Sequence, residues 1–310
     1  MSTVKGAIIG SGAISADLLS KIGRLSTSLA IAVVAVVDAE SDGLVLARQL
    51  GIPTTADGVE GLVAMSDFKD IKIVLDATST EAYPANAAKL AAYDKQIIGL
   101  TSAVIGPFVV PSVNLEQHLD APYVSMVTCG GQSTVPIVAA ISRITPVHYG
   151  EIVTTVAAPP PGRGAQAHID KLAETTSAAI EVVGGAARGK AIMVVNSAER
   201  QLIMRDTVRC LTDRLDDQAR DAVKASIDEM VAAVAAYIPG YRLKQQVQIW
   251  TVAADEAATG RSGDLESGDY DEVSVFLQVE DAPASLPGYV DMMTSAACLV
   301  AERMALRHST

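Results

Sequence analysis

Short, nearly continuous apolar runs alternate with helical periodicity over the first 128 residues. Residues 4–10, 29–38, 71–79, 95–101 and 123–128 read as strands. The stretches 13–25, 42–51, 58–68 and 81–94 read as helices. Strands of unbroken Val and Ile lack a polar face, which marks a parallel sheet covered on both sides. Their alternation with helices predicts βαβ units and an α/β fold of the Rossmann-type, doubly wound kind.

Beyond residue 128 the rhythm changes. Helices are expected near 131–144 and 165–184, with strands at 151–158, 190–196 and 202–212. Val223, Ile227, Val231, Val234 and Ile238 recur at close to helical spacing, so 217–238 reads as a helix. Residues 241–254 and 272–280 read as long alternating strands, and 291–307 as a closing helix. Long mixed strands backed by few helices predict a second, α+β domain. A length of 310 residues fits two domains.

Composition narrows the function. With 49% hydrophobic and 19% charged residues the chain is not disordered. A net charge of −12 argues against nucleic acid and anionic membranes as partners. Half of that charge falls between Asp255 and Glu272, where seven acids stand against Arg261 alone. This stretch reads as a solvated acidic loop, so the acidity does not exclude a basic pocket elsewhere. Cys129, Cys210 and Cys298 are far apart, and the four histidines are scattered. No metal site or disulfide framework is expected. No apolar run approaches membrane-spanning length, and no signal peptide is recognisable, so a cytoplasmic protein is expected.

Two short segments carry candidate chemistry. Gly10, Ser11, Gly12, Ala13, Ile14 and Ser15 follow the first strand and open a helix. Glycines there permit a tight turn and close approach of a pyrophosphate to the helix N-terminus. Ser15 takes the place of the third glycine of the usual fingerprint. Asp38, at the end of the second strand, is placed to bind a ribose hydroxyl and so to favour NAD over NADP.

The other segment is 126–136, Met-Val-Thr-Cys-Gly-Gly-Gln-Ser-Thr-Val-Pro. Cys129 ends a strand and begins a helix, where free N–H groups stabilise a thiolate or an oxyanion. The two glycines are read as letting substrate approach the backbone. Such a cysteine attacks an aldehyde, and the thiohemiacetal yields a thioester when its hydride is lost. Cys210 and Cys298 read as core. Asp206 is an acid in an apolar strand, to be explained by a salt bridge or by function. His168 reads as a surface or capping residue.

These segments, with VDAESDGL (37–44), LTSAVIGP (100–107), VNLEQHLDAP (113–122), GGAARGKAI (184–192), LIMRDT (202–207) and IPGYRLKQQVQ (238–248), resemble the acylating acetaldehyde dehydrogenases of aromatic and steroid meta-cleavage pathways. The resemblance spans nearly the whole chain with the motifs in order. It implies a dinucleotide-binding domain over 1–128, completed by a C-terminal helix within 284–310, and an α+β catalytic and dimerisation domain over 129–283. It implies conversion of a short-chain aldehyde (acetaldehyde or propionaldehyde), CoA and NAD⁺ to acyl-CoA and NADH. Cys129 is then the nucleophile and Asp206 the carboxylate that moves protons. NAD contacts fall on Ser11 to Ile14 and on Pro160, Pro161, Gly162, Arg163, Gly164, Ala165, Gln166, Ala167 and His168. A homodimer that channels aldehyde from a 4-hydroxy-2-oxoacid aldolase is also implied.

The departures from the family pattern cluster on cofactor-lining positions. Ala13 stands where Asn is usual, the 160–168 loop is altered, and Tyr289 replaces an expected Asn. Two other readings fit the same residues. One is a relative with a different acyl acceptor, such as water, phosphate or a carrier thiol. The other is an impaired paralogue that serves as an aldolase partner.

Overall fold

The computed structural model describes residues 3–37, 41–157, 165–196, 203–253, 269–280 and 288–308. The chain divides into two compact units, Met1–Met126 with Val290–Thr310, and Val127–Tyr289. The first unit thus ends two residues earlier, and the returning segment starts six residues later, than the sequence suggests.

The first unit is built on a seven-stranded sheet. Its strands are β1 (Val4–Ile9), β2 (Leu29–Ala35), β3 (Thr54–Thr55), β4 (Ile71–Asp76), β5 (Gln96–Gly99), β6 (Phe108–Val109) and β7 (Tyr123–Met126). They run in the order β3-β2-β1-β4-β5-β7-β6, and every pairing is parallel. The unbroken apolar runs have the expected cause, since Ala7, Ile8, Ile73, Val74, Leu75, Ile97 and Ile98 are all fully buried. Connecting helices include α1 (Ala13–Leu25), α2 (Asp42–Gln49), α3 (Gly58–Ala64), α4 (Tyr83–Leu90) and α5 (Pro111–Asn114). The strand order reverses between β1 and β4, the crevice at which such sheets bind ligands. The short elements β3, β6 and α5 lack enough residues to show a period, and the sequence reading missed them.

Polar interactions tie the closing helix to α1. The closing helix spans Gly288–His308. Lys21 of α1 is buried among Asp17 (2.7 Å), the Asp291 carboxylate (2.5 Å) and the Thr294 hydroxyl (2.6 Å). Thr294 also donates to Asp17. Farther along, Glu302 accepts from the N–H groups of Thr27 (3.3 Å) and Ser28 (3.1 Å), just past the end of α1.

The second unit carries a six-stranded mixed sheet. Its strands are β8 (Val147–Ala157), β9 (Gly189–Asn196), β10 (Ile203–Thr212), β11 (Tyr241–Leu243), β12 (Gln248–Val252) and β13 (Tyr270–Glu280). The order is β11-β13-β10-β8-β9, with β12 also on β13. Only β8 and β9 pair in parallel, and α7 (Ala165–Val182) lies between them in the chain. The expected single strand over 241–254 is therefore two, both antiparallel to β13. The other helices are α6 (Cys129–Ser142) and α8 (Asp217–Ala235), and α9 is the closing helix of the first unit. From Gly130 to Ile141 every residue of α6 is buried. A helix without a polar face is one covered all round. Along β10, Met204, Asp206, Val208 and Cys210 are buried while Arg205 is exposed, so one face of the sheet is the covered one.

The acidic loop needs correction. Residues 254–268 lie outside the described residues, but Asp271 and Glu272 belong to β13 and are buried. Burial pushes the Asp271 carboxyl up, yet the Leu215 N–H, Arg220 and Thr251 outweigh it and hold the group below its ordinary value. The Arg220 guanidinium stands 2.8 Å away. These two acids are bound within the core and do not solvate the surface.

Among the described residues no helix is long and apolar enough to cross a membrane, and no His, Cys, Asp and Glu cluster could hold a metal.

Lys21→Met would strand two carboxylates in the α1–α9 contact. Removing one partner of a buried ion pair costs about 3–5 kcal/mol. Urea unfolding followed by hydrogen exchange in α9 measures it. Adding Asp17→Asn and Asp291→Asn should recover most of the loss. A change below about 1 kcal/mol would place Lys21 among ordinary surface pairs.

Candidate active site

The glycine-rich turn lies at the crevice between β1 and β4. Gly10 has φ +141°. A Cβ there would sit 2.6 Å from the carbonyl oxygen of Ala77, just after β4. Only glycine fits, on grounds of both conformation and space. Gly12 caps α1 without a side-chain hydrogen bond, and a Cβ on it would meet nothing within 4 Å. Its N–H end therefore opens onto free space. Gly12 and Ala13 are exposed, while Ser11 and Ile14 are half-buried. Ser15 is buried, and its hydroxyl finds no partner. The buried hydroxyl of Ser41, the N-cap of α2, is likewise without one.

The loop on which Gly10 rests is pinned by a polar knot that the sequence reading missed. Asp76, at the end of β4, accepts from the Thr78 N–H (3.0 Å), the Thr78 hydroxyl (2.5 Å) and Asn86 of α4 (2.8 Å). Burial still raises its carboxyl above the ordinary value.

Most other expected cofactor positions are not among the described residues. Asp38 and Pro160 to Gly164 lie outside the described residues, as do the side chains of Ala165, Gln166 and Tyr289. Ala167 and His168 are exposed near the start of α7, so His168 is a surface residue.

The cysteine site starts at Cys129, the first residue of α6, two residues before the expected start. Thr128 caps the helix by accepting from the Gly131 N–H at 3.1 Å. Its hydroxyl lies 2.6 Å from that of Thr176 on α7, which donates to the Leu172 carbonyl (2.7 Å). Since Thr176 spends its hydrogen there, Thr128 is the donor between the two. The chain of bonds fixes the first turn of α6 against α7.

The two glycines serve packing. A Cβ on Gly130 would stand 2.6 Å from the Thr154 methyl on β8, and one on Gly131 would stand 2.2 Å from a Val127 methyl. Space beside them is already filled by protein, which corrects the expectation that they make room for substrate. What they permit is close approach of α6 to β8.

That approach brings polar groups together around Asp206 of β10. The carboxylate is buried and accepts from Thr154 Oγ1 at 2.5 Å and from Ser133 Oγ. Ser133 Oγ also lies 3.0 Å from the Gly130 carbonyl. Tyr241 of β11 donates to the Ser133 carbonyl at 2.6 Å. Pro136, inside α6, lacks an N–H and leaves the helix ladder incomplete nearby. Ser133, Thr154, Thr176 and Tyr241 were not foreseen. The visible signal was polar Gln132, Ser133 and Thr134 inside a helix that is otherwise apolar.

Electrostatics correct a second expectation. Burial, joined by the negative charge of Asp206, pushes the Cys129 thiol up to about 11. The N–H groups of Gly130 and Cys129 pull the other way and do not prevail. Burial also pushes the Asp206 carboxyl up to about 6, against the donors Ser133, Thr154 and the Thr155 N–H. Near neutral pH the pair is therefore a thiol beside a carboxylate. Cys210 is buried in β10 with its thiol raised by burial, and Cys298 is half-buried on α9 with its thiol pushed up to about 12 by burial.

Peptide-resolved alkylation by iodoacetamide tests this pairing. Modification of Cys129 should rise with pH to a midpoint near 11. Asp206→Asn removes a negative charge, so it should lower that midpoint. A wild-type midpoint at or below about 8.5, the value of a free thiol, would show that the helix N-terminus prevails.

Comparison with known proteins places these features in a family. Residues 129–287 match the model for the prokaryotic acetaldehyde dehydrogenase dimerisation domain. The chain is 53% identical over 307 residues to acetaldehyde dehydrogenase 3 of Nocardia farcinica, covering 98% of this chain and 94% of that protein. It is 53% identical over 309 residues to acetaldehyde dehydrogenase 1 of a Nocardioides species, covering 98% of each. Among solved structures, aspartate semialdehyde dehydrogenase II of Vibrio cholerae superposes with a TM-score of 0.61 at 12% identity, over 100% of both chains. That likeness concerns the fold. With more than half of the chain in the family model and relatives identical at every second position, the chain belongs to the prokaryotic acetaldehyde dehydrogenase family.

Proposed function

We propose that the protein oxidises a short-chain aldehyde such as acetaldehyde or propionaldehyde, using NAD⁺ as oxidant and CoA as acyl acceptor, to give acyl-CoA and NADH. The carrying observation is a half-buried thiol at the start of α6 that feels the charge of a buried carboxylate. Such a pair supplies a nucleophile and a proton acceptor.

The turn after β1 fits a dinucleotide. Gly10 is forced into a conformation reserved for glycine, Gly12 leaves the α1 N-terminus open, and Ser15 keeps a hydroxyl unpartnered. Ser11, Gly12, Ala13 and Ile14 would hold its pyrophosphate on backbone N–H groups. When bound, NAD⁺ supplies the two-electron acceptor that the oxidation needs.

Cys129 forms the bond to the aldehyde carbon while its proton passes to Asp206. Because that proton rests on sulfur, transfer accompanies attack. N–H groups at the α6 N-terminus are the donors for charge on the carbonyl oxygen. Cys129 then carries the acyl group as a thioester. Asp206 gives up that first proton to solvent; attack by the CoA thiol then releases the acyl group, the CoA proton passing through Asp206 to the departing Cys129 sulfur.

The family model supports a homodimer formed through the second unit. Partial exposure of Arg205, Thr207 and Arg209 on β10, opposite its buried residues, is consistent with a second copy on that sheet face. A complex with a 4-hydroxy-2-oxoacid aldolase, channelling, and a cytoplasmic role in aromatic catabolism extend the proposal and rest on the sequence resemblance.

NADH absorbance with acetaldehyde, NAD⁺ and CoA tests the reading. Cys129→Ser should fall to background, and Asp206→Asn should lose about 10²–10⁴-fold in kcat. A fully active Cys129→Ser enzyme would remove the nucleophile. Equal rates with and without CoA would identify water as the acceptor.

A further inference from the structure

Asp206 is held by two hydroxyls of different kind. Thr154 Oγ1 donates to one carboxylate oxygen at 2.5 Å, and its side chain also fills the space beside Gly130. Ser133 Oγ stands between the other oxygen and the Gly130 carbonyl, 3.0 Å from the latter. A hydroxyl has one hydrogen and two lone pairs, and the hydrogen rotates freely. With Asp206 ionised, Ser133 donates to the carboxylate. With Asp206 protonated, the carboxyl donates to Ser133, whose hydrogen turns to the Gly130 carbonyl. The Gly130 carbonyl, which also accepts the Thr134 hydroxyl at 2.6 Å, then takes the Ser133 hydrogen as a further donor, and no heavy atom moves.

We infer that Ser133 and Thr154 are positioning residues that let Asp206 take up and release a proton in place, Ser133 as the rotor and Thr154 as the fixed donor. The inference rests on the reading of Asp206 as proton acceptor for Cys129 and the CoA thiol. In the forward step the S–H bond of Cys129 breaks, its electron pair forms the S–C bond, the C=O π pair moves to oxygen, and the proton goes to an Asp206 oxygen. Buried carboxylates that move protons otherwise change partners at each transfer, which costs reorganisation in the transition state.

The titratable groups facing Asp206 are few. Cys129 faces it from α6 and Tyr241 from β11. In register, Leu277 stands opposite on β13 and Thr154 on β8. The thiol and the phenol titrate far above the carboxyl, so a transition near pH 6 belongs to Asp206.

The experiment is infrared titration of the full-length protein, each spectrum taken as a difference from the same protein carrying Asp206→Asn. Thr154→Val keeps the shape and removes the hydroxyl, and Ser133→Ala removes the rotor. Thr154→Val deletes a donor that serves the ionised carboxylate and should raise the midpoint by about 1–2 pH units, whereas Ser133→Ala removes a partner of both states and should move it less. Thr154→Ser retains the hydroxyl and loses the methyl, and should titrate as wild type. In the aldehyde assay the acid limb of kcat should move with the midpoint while KM for aldehyde stays fixed. An unmoved midpoint in folded Thr154→Val, or a rise in folded Ser133→Ala as large as in Thr154→Val, would overturn the inference. So would a shift in Thr154→Ser as large as in Thr154→Val, because packing and not the hydroxyl would then be responsible. If the wild type formed no NADH from aldehyde and CoA, the functional reading would fall, while the infrared midpoints would still decide the role of the hydroxyls.

Discussion

The second unit is organised by the close approach of α6 to β8 at Gly130. A helix normally keeps a layer of side chains between its backbone and a sheet, at interaxial distances of about 8–10 Å between helices and similar spacing over sheets. Here one residue of that layer is missing, and Thr154 occupies the gap. The first turn of the helix is thereby lowered onto β8 and β10. Ser133, one turn along, then comes within reach of Asp206. Burying an isolated carboxylate would be prohibitive, and the hydroxyls that make it tolerable are available only because the backbones are this close. The site is thus a consequence of a packing constraint.

The two glycine-rich helix starts obey different physics. In the first unit Gly10 is confined by the Ala77 backbone, but Gly12 faces open space, and the N–H groups of α1 have no protein partner from a cap. That is the condition for binding an anion. In the second unit the space beside Gly130 and Gly131 is filled, and the helix end is closed by Thr128 and through it by Thr176. Similar sequences, a strand followed by small residues and a helix, therefore build an open helix N-terminus in one place and a rigid mount for a side chain in the other.

This contrast also explains what was legible in the sequence. The parallel sheet was legible because burial on both faces writes continuous apolar runs. Cys129 was legible because Cys-Gly-Gly at a strand–helix junction is rare in ordinary cores, and Asp206 because an acid interrupts an apolar strand. The purpose of Gly130 was not, since no local pattern shows that Thr154, on another element, fills its missing side chain. The hydroxyl network around Asp206 joins three elements distant in the chain, and Ser and Thr carry no periodicity that would connect them. Asp271 and Glu272 were misread for the same reason. An acid-rich stretch looks solvated until Arg220 and the Leu215 N–H, more than fifty residues earlier, are seen to meet Asp271.

The protonation of Cys129 follows from these arrangements and bears on catalysis. A helix N-terminus near sulfur invites the view that it exists to hold a thiolate. Burial and the charge of Asp206 outweigh it, and the thiol keeps its proton. For the proposed reaction this is an advantage. Donors that stabilised a resting thiolate would deepen the ground state, and only interactions stronger in the transition state accelerate a step. With sulfur neutral, the Gly130 and Cys129 N–H groups, which the Thr128 cap does not take, meet no full charge until it develops on the carbonyl oxygen. The proton then needs a receiver whose affinity rises as sulfur becomes acidic on bonding to carbon. A carboxylate raised to about 6 by burial is better matched to that task than one at the ordinary value near 4. Burial of the thiol and the charge of Asp206 thus raise the nucleophile's affinity for its proton, while burial of Asp206 improves the base that removes it.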